Sequence, residues 1–99
     1  MKRILTFLSN FIHGTANKID DTSSLEIVGR HGYKYIEGDR ALIVEVEMLA
    51  GPPDTIYRSS IKKWLPPHEN ISISRAERER ILQKICKYFD DRGMPYIVE

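Results

Sequence analysis

The alternation of apolar and polar residues predicts strands through the middle of the chain. The clearest run is 41–49, where leucine and valine at alternate positions face one way and Glu45 and Glu47 face the other. Shorter runs flank it at 25–28, 33–37 and 55–59. One apolar and one polar face is the pattern of antiparallel strands, so we expect a meander joined by hairpins.

A long helix is predicted over residues 75–92. Ser74 is its expected N-cap, because the run Ser-Arg-Ala-Glu forms a capping box. Gly93 followed by Pro95 is a strong signal for its end, and residues 95–99 then predict an edge strand. One face of the helix is apolar and suits packing on a sheet, through Ile81, Leu82, Ile85, Tyr88 and Phe89.

Residues 1–24 predict a short amphipathic helix followed by a polar loop. Gly14 stands where such a helix would end. Several residues of its apolar stripe also favour strands, so a first strand is the alternative. The segment has neither the length of a membrane span nor the form of a signal peptide. The stripe consists of Ile4, Leu5, Leu8, Phe11 and Ile12.

Together these elements predict a single α+β domain over residues 1–99. The expected architecture is an antiparallel meander of about four to five strands, with the long helix packed on one face and a short N-terminal helix. We expect an N-terminal helix and loop at 1–24, a strand meander at 25–60, a connector with Trp and Pro at 61–74, a helix at 75–92 and an edge strand at 95–99.

Composition limits the partners. The 99 residues include 15 Lys and Arg against 14 Asp and Glu, a formal net charge of +1. This balance lacks the basic field of a general nucleic-acid binder, so we expect binding neither to nucleic acid nor to a membrane surface. A single cysteine, Cys86, excludes an internal disulfide and suits the reducing cytoplasm.

The residue types that carry chemistry in other proteins are scattered in this chain. His13, His31 and His68 stand far apart, with no pair at the spacing of metal ligands on a helix. Cys86 falls in the C-terminal half of the predicted helix, where the helix dipole disfavours a thiolate. No phosphate loop or nucleophile motif is present, so we expect no catalytic residue, no cofactor and no metal.

The carboxylates are the group that suggests a functional surface. Glu37 and Asp39 bracket a predicted turn, and Glu45 and Glu47 share a strand face. The simpler interpretation is a solvated sheet face. The functional interpretation is an acidic patch that faces a partner.

The connector carries the most specific sequence of the chain. Residues 56–64 read Ile-Tyr-Arg-Ser-Ser-Ile-Lys-Lys-Trp, and a pair of prolines follows before the capped helix. This run resembles the immunity protein 74 family of bacterial polymorphic-toxin systems, whose pattern is a strand, a Tyr-x-Ser-Ser-Ile-x-x-Trp-x-Pro-Pro stretch and a final helix. The resemblance extends from Tyr33 to the C-terminus. Its residues are Tyr57, Ser59, Ser60, Ile61, Trp64, Pro66 and Pro67.

Two roles are open for this motif. In a structural role, Ser59 and Ser60 satisfy backbone groups where a strand ends, while Ile61 and Trp64 cover the edge of the core. The paired prolines then stiffen the path to the helix. In a functional role, the tyrosine, the tryptophan and the neighbouring lysines form a contact surface instead.

The resemblance implies a cytoplasmic antidote that binds the C-terminal domain of one cognate toxin and blocks it, with no chemistry or cofactor of its own. Many delivered toxins are nucleases with basic clefts, so an acidic surface would be complementary. We expect a monomer or a weak homodimer. The hypothetical toxin-contact residues are Glu37, Asp39, Glu45 and Glu47, with Tyr33 or Tyr35 as aromatic anchors.

Two other functions stay open at this point. A general interaction or regulatory domain would homodimerise through an exposed strand edge, such as that at Ile97. A small hydrolase or nuclease would use the carboxylates as acid and base, which requires a concave and partly desolvated site.

Overall fold

The fold is a sheet with one helix packed across one of its faces. The computed structural model describes residues 17–48 and 51–99, and the elements named here lie within them. The strands of the sheet are β1 (Asn17–Lys18), β2 (Ser23–Gly29), β3 (Gly32–Glu37), β4 (Arg40–Glu47), β5 (Asp54–Ile56) and β6 (Tyr96–Val98). The helix, α1, spans Arg75–Asp91. In the described part of the chain, no helix is both long and apolar enough to cross a membrane.

Strand order in the sheet follows chain order from β1 to β6. Neighbouring strands from β1 to β5 are antiparallel, as a meander requires. β6 is parallel to β5, pairing Ile97 with Thr55, because the long segment that contains α1 returns the chain in the same direction. The predicted α+β fold and its C-terminal helix are confirmed.

Several elements differ from the sequence prediction in detail. Residues 17–18 pair with β2 as a short strand, where the polar sequence predicts a loop. The pairing is made by backbone groups, so the side chains of these two residues show no apolar alternation from which a strand could be predicted. The strand predicted at 55–59 ends at Ile56, and Arg58–Ser60 forms a 3-10 turn instead. The predicted N-terminal helix and the predicted strand end at Leu49 lie outside the described residues.

The core lies between the sheet and α1. Alternate residues of β4, and residues of α1 spaced by helical turns, are buried without solvent exposure: Leu42, Val44, Val46, Ile81, Ile85 and Phe89. Each such side chain contributes roughly 1.5–3 kcal/mol through apolar burial. We call the side of the sheet that packs against α1 the inner face and the opposite side the outer face.

Hydrogen bonds close both ends of α1, as the sequence predicts. The Ser74 side chain accepts a 3.1 Å hydrogen bond from the Glu77 backbone N–H. The Glu77 carboxylate pairs with Arg80 at 3.4 Å instead of returning to Ser74. At the other end, Gly93 takes φ +64°, and the next N–H donates to the Phe89 carbonyl at 2.9 Å. This is a Schellman motif, and it needs the left-handed freedom of glycine.

The connector closes the edge of β4 that β5 leaves open. β5 pairs with only two residues at the end of β4. Earlier in β4, the Glu45 N–H donates to Ser60 Oγ at 2.8 Å. The Leu65 N–H donates to the Ala41 carbonyl at 2.7 Å. Ser60, which immediately precedes the connector, and Leu65 within it therefore supply the hydrogen bonds that a further strand would otherwise make.

Two side chains of the connector complete the core. Ile61 is fully buried, and Trp64 is 2% exposed. The Arg40 guanidinium lies 5.8 Å from the centroid of the Trp64 ring, a cation–π contact at the rim of the core. The connector is thus part of the packed structure. Of the remaining motif residues, Tyr57 and Ser60 are half-buried, and Ser59, Pro66 and Pro67 are exposed.

Replacing Trp64 with alanine tests how much the connector stabilises the fold. We expect Trp64→Ala to lower the free energy of unfolding by about 3–5 kcal/mol, because it removes a buried indole and leaves a cavity. Trp64→Phe keeps an aromatic ring in place and should cost less. Urea unfolding followed by circular dichroism measures both variants. Equal unfolding midpoints for Trp64→Ala and the wild type would contradict this assignment.

Candidate functional site

The outer face of β4 carries two carboxylates that form no ion pair with a described residue. Glu45 and Glu47 alternate with the buried valines of this strand, so both project away from α1. Among the described residues, no Lys or Arg nitrogen lies within 4.0 Å of either carboxylate. We call Glu45 and Glu47 the outer carboxylates.

Tyr57 lies beside the outer carboxylates. Its hydroxyl donates a hydrogen bond to Glu47 Oε1, and its backbone N–H donates to the Glu45 carbonyl at 3.0 Å. These contacts raise the pKa of Tyr57 to about 12, chiefly through the bond to Glu47, then through desolvation and the negative charges of Glu47, Glu99 and Glu45. The phenol thus sits in a concentrated negative field and stays protonated at neutral pH.

The carboxylates at the predicted turn lie elsewhere. Glu37 accepts a 2.7 Å hydrogen bond from the Tyr35 hydroxyl and pairs with Arg80 of α1 at 3.1 Å. Burial opposes its ionisation, but the hydrogen bonds from Tyr35 and Arg80 outweigh burial, so the pKa of Glu37 is lowered. Asp39 pairs with His68 at 3.6 Å. Hence Glu37 faces the helix side, and the four predicted carboxylates do not form one surface.

Tyr33 and Tyr35 are core residues. They are 3% and 0% exposed, because both occupy inner-face positions of β3. The Tyr33 ring packs against Tyr88 and Phe89, with centroid distances of 6.4 and 5.8 Å. Burial raises the pKa of Tyr33 to about 12 and raises that of Tyr35 as well. The prediction that they anchor a partner at the surface is therefore wrong.

The carboxylates of α1 contrast with the outer carboxylates, since most are paired with cations. Glu77 contacts Arg80, Glu79 lies 3.2 Å from Arg58, and Asp91 lies 2.6 Å from Lys87. Similar pairs join the helix to the sheet, through Arg80 to Glu37 and Lys84 to Asp20. The helix side is therefore locally neutralised, whereas the outer face of β4 is not.

In the described part of the chain, the side chains that could carry a reaction are either isolated or paired with basic groups. No three His, Cys, Asp or Glu side chains there stand close enough to hold a metal ion. Cys86 is half-buried, and desolvation raises the pKa of its thiol, which disfavours the nucleophilic thiolate. Glu37, Asp39 and Glu77 do line one cavity of about 370 Å³, the concave setting that an acid and base pair needs. Arg80 pairs with both Glu37 and Glu77, however, and His68 lies 3.6 Å from Asp39.

Comparison with known proteins identifies the family. The family model of immunity protein 74 matches residues 25–99. The chain belongs to the immunity protein 74 family. No curated protein and no solved structure is significantly similar to it.

The match to immunity protein 74 covers the chain from β2 to β6. It includes the connector, α1 and the outer carboxylates, so the face described above lies within the family domain. The sequence resemblance carried by the connector is thereby confirmed. The family description denotes an immunity protein.

A titration of Tyr57 tests the geometry of the outer face. Glu47→Gln should move the pKa of Tyr57 from about 12 towards 10.0, because the charged acceptor of its hydrogen bond is lost. Below pH 10.0 the phenol is protonated whether the chain is folded or not, so its bond stabilises the fold fully there. That contribution is lost as the pH rises through the folded pKa.

NMR detection of the Tyr57 ring carbons against pH measures this shift residue by residue. Glu26→Gln is the control, because Glu26 lies on β2 and is not among the charges that act on Tyr57. An unchanged Tyr57 titration in Glu47→Gln would show that the two side chains do not interact in solution.

Proposed function

We propose that the protein neutralises one bacterial toxin domain by binding it directly with the outer face of β4 and occluding its active site. The observation that carries this proposal is the charge of Glu45 and Glu47, which is unpaired within residues 17–48 and 51–99, on a strand whose other face is packed in the core. Family membership supports the antidote role itself. The protein needs no catalytic group for this role, because occupancy alone blocks a toxin.

The toxin that fits this face is a nuclease. A nuclease binds phosphate groups, so its cleft presents Lys and Arg. Two carboxylates that form no ion pair with a described residue would attract such a cleft from a distance and repel acidic surfaces. Binding would take place in the cytoplasm, where the nucleic-acid substrate of the toxin lies.

The sheet also supplies the rigidity that inhibition requires. β4 is hydrogen-bonded to β3 on one side and to β5 and the connector on the other. A preformed face loses little conformational entropy on binding, which favours affinity. Tyr57, rather than Tyr33 or Tyr35, is the aromatic residue placed to act as an anchor. Its hydroxyl donates a hydrogen bond to Glu47 on this face.

Charge reversal on the outer face tests the proposal. We expect Glu45→Lys/Glu47→Lys to weaken binding to the toxin domain encoded beside the immunity gene by about tenfold or more, which corresponds to about 1.4 kcal/mol. The loss should lie mainly in the association rate and should shrink at high salt, because these charges steer the encounter. Surface plasmon resonance at several salt concentrations measures it.

Asp21→Lys/Asp91→Lys is the matched control. It makes the same change in net charge at two exposed carboxylates, at the β1–β2 turn and near the end of α1. This variant should bind the toxin and protect cells almost as the wild type does. Equal affinities of the two double variants would reject the outer carboxylates as the contact surface, and failure of the wild type to bind would reject the antidote role.

A further inference from the structure

An apolar strip crosses the outer face beside the outer carboxylates. Val28 of β2 and Ile43 of β4 are 49% and 40% exposed, although both are large aliphatic residues. Gly32 of β3 lies between them. A Cβ atom at Gly32 would stand 3.6 Å from a Val28 methyl and 3.4 Å from an Ile43 methyl. Both methyl groups therefore border the surface above Gly32.

The strip continues from Ile43 into a cavity at the connector. This cavity has a volume of about 330 Å³. That volume is at the lower end for a ligand pocket, so it suits one side chain of a partner better than a large cofactor. Its lining is formed by Ile43, Lys63, Trp64, Leu65, Pro66 and Glu69.

The charges around the strip indicate what partner would cover it. Lys63 and Glu69 line the cavity with opposite charges, so they leave it nearly neutral. Glu45 and Glu47 follow Ile43 at alternate positions of the same strand and point to the same side. An apolar centre with a charged rim is the anatomy of a protein interface. Lys34 of β3 pairs with Ile43 and faces the same side, so it adds one positive charge. Against Glu45 and Glu47, this leaves one unbalanced negative charge at the rim.

We propose that the cavity beside Ile43 receives one aromatic or branched aliphatic side chain of the toxin, flanked in the toxin by Lys or Arg residues that meet Glu45 and Glu47. This inference rests on the proposed function and adds to it the chemistry of the contact. The apolar side chain fills the cavity and displaces its water, and the cations complete the contact at the rim. Without that occupant, Ile43 and Val28 remain exposed to solvent.

Substitution of Ile43 tests this inference. Ile43→Thr keeps the β-branched shape that strands favour and replaces the ethyl branch of the side chain with a hydroxyl at the cavity wall. We expect it to weaken binding to the toxin domain encoded beside the immunity gene about tenfold, with the loss in the dissociation rate. The association rate should stay unchanged, because no charge is altered. Surface plasmon resonance resolves the two rates.

Ile27→Thr is the matched control. Ile27 is also an exposed isoleucine on a strand, but it pairs with Tyr33 and therefore lies on the inner side of the sheet. It should bind the toxin as the wild type does. Ile43→Ala provides a second test of the cavity wall should the threonine variant lose its fold, which circular dichroism monitors.

The outcomes separate this inference from the proposed function. Wild-type rates for folded Ile43→Thr or Ile43→Ala would overturn the cavity contact and leave the antidote role standing. Equal losses in the Ile43 and Ile27 variants would overturn it too, since the effect would not be specific to the outer face. A wild-type protein that does not bind the toxin would overturn both.

Discussion

The hydrogen bond from the Glu45 N–H to the Ser60 hydroxyl forms at the point on β4 where pairing with β5 ends. The same hydroxyl donates to the Tyr57 carbonyl at 2.6 Å, so one side chain ties the 3-10 turn to β4. An exposed strand edge offers a template for aggregation, and unsatisfied backbone groups are costly. This closure lets the connector place Trp64 in the core, and it holds Tyr57 beside the outer carboxylates. The packing of one face and the geometry of the other therefore depend on the same few bonds.

Charge is distributed unequally between the two sides of the sheet. On the helix side, ion pairs join α1 to itself and to the sheet, as in the pair between Arg80 and Glu37. Exposed pairs of this kind contribute little to stability, but they cancel the local field. On the outer face, Glu45 and Glu47 have no such partner among the described residues. A chain with a net charge of only +1 can thus still present a negative face.

Local patterns predicted the regular elements well, because those patterns reflect burial and capping directly. The alternation along β4 and the helical stripe and caps of α1 are found within one or two residues of their expected positions. β1 was not predicted, because its two residues form a strand only through their pairing with β2. The composition of the segment does not encode that pairing. The parallel direction of β6 likewise follows from the path of the whole chain.

The candidate site could be predicted only in part. Alternation along a strand shows which residues share a face, but not which face is buried. Glu45 and Glu47 were correctly placed on one face, because residues two apart on a strand share a side. Tyr33, Tyr35 and Glu37 also share a side, but alternation alone does not say which side is buried. The pairing of Tyr35 with fully buried Leu42 decides this, and it is a contact between strands. Sequence therefore groups residues by face before it can tell which group meets a partner.

This alternation also explains how one strand can serve both stability and recognition. The register that buries Leu42, Val44 and Val46 necessarily turns Ile43, Glu45 and Glu47 outward. A slip of one residue would exchange the two sets, so the energy of the core holds the outer residues in place. The roles proposed for them on that face differ in range. Charges act over a Debye length of about 8–10 Å and speed the encounter, whereas an apolar side chain acts only at contact and slows dissociation. An antidote gains from both, because it must reach the toxin before the toxin reaches its substrate and must then stay bound.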